Sequence, residues 1–186
     1  MILKIVQTGH PVLRQRAREL TPEEILSDAT QVLIEAMFET MRDAPGVGLA
    51  APQIGMPLQL AVMEDREEFL SKMPPDDLAL RERNAVAPHV IINPRLTIEG
   101  TDTAEFFEGC LSLPGFTALV SRALAVRVEA LNERAEPVII QARGWYARIL
   151  QHEIDHLHGS LYIDRMKTRT FSTRENFMRF HEARKD

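Results

Sequence analysis

The stretch GWYARILQHEIDHLHG, residues 144–159, constrains this chain more than any other. Trp145, Ile149, His152 and His156 recur at spacings of four, three and four, which predicts an amphipathic helix closed by Gly159. Two histidines one turn apart project from the same helix face, close enough for both imidazoles to reach one ion. Glu153 follows His152 directly and so points about 100° away, beside such an ion, where it can take a proton from bound water. Packed or solvated histidines are the plain alternative, and the H-E-x-x-H spacing weighs against it.

A hydrolytic site of this kind needs a third protein ligand and an open position for water. A histidine six residues after His156 would complete one pattern; Gly159 is in place, but Tyr162 stands where the ligand should be. Glu175, nineteen residues after His156, can come from a following helix. Cys110, the only cysteine, sits in EGCLSLPG, where a strand-like run can present a thiolate rigidly. A lone cysteine is otherwise a small buried hydrophobe. On residue types alone, Glu175 and Cys110 both stay open.

At 186 residues and 45% apolar, the chain can bury one substantial core, so residues 1–186 are expected to form a single catalytic domain. TPEEILSDATQVLIEAMFETMRDAPG reads as one N-terminal helix. Thr21 is its cap, Pro22 its first residue and Glu24 its capping-box partner, while Pro45-Gly46 ends it. Leu26, Val32, Leu33, Ala36, Met37, Thr40 and Met41 form its expected core face. LQLAVME (58–64) and VIINP (90–94) read as strands, the second stopped by its proline. The polar run between them, 64–88, reads as a surface excursion with no catalytic group. From LTIEG (96–100) to PVIIQAR (137–143), short β-branched runs separated by turn residues predict antiparallel strands. The expected class is α+β, with antiparallel β-sheets packed around a central late helix carrying HExxH, an N-terminal helix and a C-terminal helix.

Net charge is −5 with no long basic run, which argues against specific or strong nucleic-acid binding. No segment is apolar for long enough to span a bilayer, so no membrane partner is expected. The start, MILKIVQTGHPVLR, shows neither a signal-peptide core nor an Arg/Ser-rich presequence, and one cysteine suits a reducing compartment. The expected location is cytoplasmic. The tail, 165–186, holds seven Lys/Arg against three Asp/Glu, and a basic helix is expected over about 170–186.

Three segments share a likeness. GVGLAAPQIG (46–55), EGCLS (108–112) and QHEIDHLHG (151–159) resemble, in order and spacing, the GxGLAAxQ, EGCLS and HExDHLxG motifs of the peptide deformylases. PVLRQRA (11–17) resembles that family's opening segment. Trp145, Arg148 and Gly115-Phe116 resemble its organellar-type branch. The resemblance implies metal-dependent hydrolysis of the N-formyl group from N-formylmethionyl nascent peptides, releasing formate. It implies Cys110, His152 and His156 as metal ligands, Glu153 as acid and base, and the Gln53 side chain and Leu111 backbone N–H as donors to the oxyanion. Gly48 and Gly109 would meet the substrate backbone, which lies along 46–55 like an added strand, and Val47, Phe106, Trp145 and Ile149 would line the methionine pocket. Fe²⁺ is the implied native ion, and one thiolate with two imidazoles suits Zn²⁺, Ni²⁺ or Co²⁺ equally. A transient ribosome contact through the basic tail is also implied.

Overall fold

A computed structural model describes residues 1–182, with side chains through Phe180; the end of the expected basic tail lies outside the described residues. The N-terminal helix is two helices. Thr21 and Glu24 form the expected capping box at the head of α1 (Pro22–Leu26), but Ser27 is extended and its hydroxyl accepts the Thr30 N–H to start α2 (Asp28–Asp43). Serine competes for backbone hydrogen bonds in just this way. The break resets the helical face. Ile25 and Ile34 are buried, whereas Leu26 and Val32, expected in the core, are 57% and 55% exposed. Ala36, Met37, Thr40 and Met41 are buried as expected.

Strand β1 (Gly48–Ala50) leads through a single 3₁₀ turn to β2 (Leu60–Asp65). The excursion that follows carries α3 (Glu67–Leu70) and α4 (Pro75–Arg81), then β3 (Val86–Ile98). Strands β4 (Thr103–Cys110), β5 (Leu113–Ala123), β6 (Ala125–Leu131) and β7 (Pro137–Arg143) precede α5 (Gly144–Leu157). A two-residue strand β8 (Ser172–Thr173) and the one-turn α6 (Arg174–Phe177) follow, so the expected C-terminal helix is short and runs into a wide turn over Met178–Glu182. One antiparallel sheet has the order β1-β2-β3-β6-β7 and the other β4-β5-β8.

Strand β3 does not stop at its proline. Asn93 is left-handed (φ 52°) and the register shifts between Ile92 and Arg95, so Pro94 sits in a bulge where its missing N–H breaks no ladder. The alternation of β2 divides the core. Leu60 and Val62 meet Met37 and Met41 of α2, while Ala61 and Met63 meet Ala147, Leu150 and Ile154 of α5. That packing buries α5 between the sheets with its histidine face toward β4. Among the described residues, no helix is long and apolar enough to cross a membrane.

Candidate metal centre

His152 and His156 stand one turn apart on α5, with ring centroids 5.0 Å apart. Cys110 ends β4 just past a bulge and aims its Sγ at His156 Nε2, 3.2 Å away. One ligand atom from each of the three lies within 4.8 Å of the others. A tetrahedral site with bonds of 2.0–2.3 Å separates its donors by about 3.3–3.8 Å, so this donor set fits one divalent ion with little movement. Glu175, the other candidate, is exposed on α6 and outside the cluster.

Glu108 supports the candidate ligands, a role given to no residue from the sequence. Its carboxylate accepts from His152 Nδ1 at 3.0 Å, which leaves Nε2 for the centre, and from Arg122 and Arg148 at 2.5–3.0 Å. Burial alone would raise its pKa; the His152 and Arg122 bonds outweigh burial and hold it far below the usual carboxylate range. Arg122 also reaches Asp155, and Arg165 closes a second pair on that carboxylate. At Cys110, burial is likewise outweighed, chiefly by the His156 charge, and the thiol is held well below its ordinary value. A thiolate is the form that binds metal.

Glu153 is 4% exposed, its Oε2 has no hydrogen-bond partner among the described residues, and burial pushes its pKa up. Gly48 makes room for it, since a Cβ there would overlap the Glu153 carboxylate. The Gln53 amide is pinned by the Ala50 N–H, which donates to Oε1 at 2.8 Å, and its Nε2 then faces Cys110 Sγ at 3.5 Å. Leu111 follows Cys110 and lines the same cavity, with Gly46 beneath it: a Cβ on Gly46 would come within 2.9 Å of Leu111 Cδ1.

The cavity holds about 420 Å³ and is lined by Val47, Gly48, Gln53, Gly109, Cys110, Leu111, Trp145, Ile149, His152 and Glu153. Phe106 is outside it. It packs edge-on against Trp145, whereas its neighbours Phe107, beside Phe177, and Glu108 line the cavity. Arg81, from the excursion, and Arg174, from α6, also line the cavity. Neither has a local signal in the sequence, because each reaches the cavity by docking of a distant segment.

Fold and centre together define a helix-borne H-E-x-x-H protein of α+β type with cysteine as the third candidate ligand. The chain belongs to the polypeptide deformylase family, whose model matches residues 2–172. It is 51% identical to peptide deformylase 1A, chloroplastic, of Solanum lycopersicum over 92% of its length, and 48% identical to the chloroplastic/mitochondrial 1A protein of Arabidopsis thaliana over 93%. It spans only 62% and 64% of those two relatives. A solved class I type b peptide deformylase from Acinetobacter baumannii matches 89% of this chain and 99% of its own at 30% identity, with a TM-score of 0.79.

Proposed function

We propose that this chain removes the N-formyl group from formylmethionyl nascent peptides, with residues 1–186 acting as one catalytic unit. The observation that carries the reading is the Cys110, His152 and His156 cluster beside a cavity lined by Glu153, whose buried Oε2 has no hydrogen-bond partner among the described residues. The Acinetobacter baumannii relative was solved with Met-Ala-Ser bound, the peptide that deformylation of formyl-Met-Ala-Ser leaves.

Cys110, His152 and His156 would hold one divalent ion, which when bound supplies Lewis acidity and a water that loses its proton near neutral pH. Glu153, with its pKa raised by burial, takes that proton and returns it to the departing amine. Gln53 Nε2 and the Leu111 N–H donate to the oxygen that gains charge. Strand β1 is an edge of its sheet, so its outer side can pair with an extended substrate. Val47, Trp145 and Ile149 flank the space for the methionine side chain, and Gly48 and Gly109 leave the backbone approachable.

The family resemblance implies Fe²⁺ as the native ion and Zn²⁺ as a less active substitute, while a thiolate with two imidazoles suits Ni²⁺ or Co²⁺ equally as replacements. Anaerobic formate release from formyl-Met-Ala-Ser by Fe²⁺- or Ni²⁺-loaded protein, absent in a metal-retaining Glu153→Ala variant, is the expected result. No formate from folded, loaded protein would overturn the reading. Full, air-stable activity of a zinc form would overturn the assignment of iron. A cytoplasmic location and a transient ribosome contact through the basic tail belong to the same proposal; cell fractionation and ribosome cosedimentation test them.

A further inference from the structure

The excursion between β2 and β3 is fastened onto the first turn of α5. Gly144 leaves β7 at φ +62°, and a Cβ on it would come within 2.5 Å of Glu82 Cβ and 2.8 Å of the Arg81 and Glu82 carbonyl oxygens. The end of α4 therefore lies backbone-on-backbone against the start of the histidine-bearing helix. Glu82 accepts from Arg143 at 2.8 Å, and Arg83 donates twice to the buried Asp65 carboxylate, at 2.7 and 2.8 Å. These contacts fix where Arg81 can reach.

Its guanidinium carbon lies 4.7 Å from the Trp145 ring centroid and 5.0 Å from that of Phe106. The two rings meet edge to face at 6.0 Å; Arg148 lies 5.3 Å from Phe106 and 5.8 Å from Trp145, and Arg83 lies 5.3 Å from Trp145, so Arg81 makes the nearest of three cation contacts to the indole. Trp145 Nε1 is buried with no hydrogen-bond partner among the described residues, so packing and cation–π contact are left to orient the indole. Trp145 and Arg81 both line the cavity.

We infer that Arg81 is a positioning residue for substrate selection: it holds the Trp145 indole as a wall of the pocket that receives the substrate's first side chain. The inference rests on the deformylase reading above for the identity of that substrate. The chemistry at the centre should be insulated from it, because Arg148 is held independently of Arg81 by Glu108 and by the Ala104 and Val120 carbonyls. Loss of the Arg81 cation should loosen the pocket and leave the ligands in place.

Trp145 is the only tryptophan, so its fluorescence reports this contact directly. In Ni²⁺-loaded protein, Arg81→Ala and Arg81→Gln are expected to shift the emission to the red and raise KM for formyl-Met-Ala-Ser roughly 3- to 20-fold, with kcat within about twofold. The margin for formyl-Met over formyl-Ala peptides should shrink alongside, and Arg81→Lys, which keeps a cation, should recover most of both. Folded, metal-replete variants with unchanged emission and KM would overturn the role of Arg81, as would a fall in kcat at constant KM. A wild type without turnover would instead overturn the deformylase reading, and the emission shift would still report on the contact.

Discussion

At Gly48 the required feature is the absence of a side chain. The Glu153 carboxylate fills the space a Cβ would occupy, so Gly48→Ala is expected to displace the acid while sparing Cys110, His152 and His156. Metal content should stay near one ion per chain and kcat should fall by about two orders of magnitude, measured by formate release beside metal analysis. Glu108 makes the opposite kind of demand. Replacing it by Gln removes one partner of a buried network, which is expected to cost about 3–5 kcal/mol in urea unfolding and to weaken metal binding roughly 10- to 100-fold. The two histidines and Glu153 were legible because helical spacing alone brings them together. Glu108 sat inside a recognised motif without a role, because its partners come from two distant elements, Arg122 from β5 and Arg148 and His152 from α5.

Elements were legible wherever a local period carried the information. The α5 helix and the β2 strand are where the sequence places them, whereas Ser27 and Pro94 each defeat a simple rule. Ser27 divides a helix that the apolar period runs straight through, and Pro94 survives inside a strand because a bulge absorbs it. Phe106 packs edge-on against Trp145 and Phe107 against Phe177, and no local period tells which of the two lines the cavity. The junction of β3 with α5 carries a pH prediction. His89 Nδ1 donates to the Ala87 carbonyl oxygen at 2.9 Å, so its Nε2 accepts the Tyr146 hydroxyl, also at 2.9 Å. Burial, only partly offset by the Ala87 bond, lowers the His89 pKa below its ordinary 6.5. The unfolded chain therefore takes up this proton first. Stability from His89 is complete above about pH 6.5 and declines as pH falls toward the depressed folded value. Urea midpoints measured from about pH 7.5 down to 5.5 should fall less in His89→Gln than in the wild type.

Across the whole molecule, the cavity is assembled from segments that lie far apart in sequence, and the C-terminal segment is one of its walls. Strand β8 pairs with β5 through Thr173 and Phe116, Phe171 stacks on Phe116 at 5.1 Å, and Phe177 meets Phe107 at 4.4 Å beside the opening. Net charge and the count of basic residues drew attention to this tail as a solvated or ribosome-facing end. Its aromatic residues tie it to the site, through pairings that no local pattern announces. Truncation after Thr170 removes two aromatic pairs worth about 1–3 kcal/mol together and should lower the melting temperature by about 3–10 °C. It also removes Arg174 and Phe177 from the cavity lining while leaving Cys110, His152, His156 and Glu153 untouched. The truncated protein is therefore expected to keep its metal and most of its kcat while KM for a formyl tripeptide rises. A tail that serves only as a docking arm would change neither KM nor melting temperature, so steady-state kinetics and a thermal melt on one variant separate the two roles.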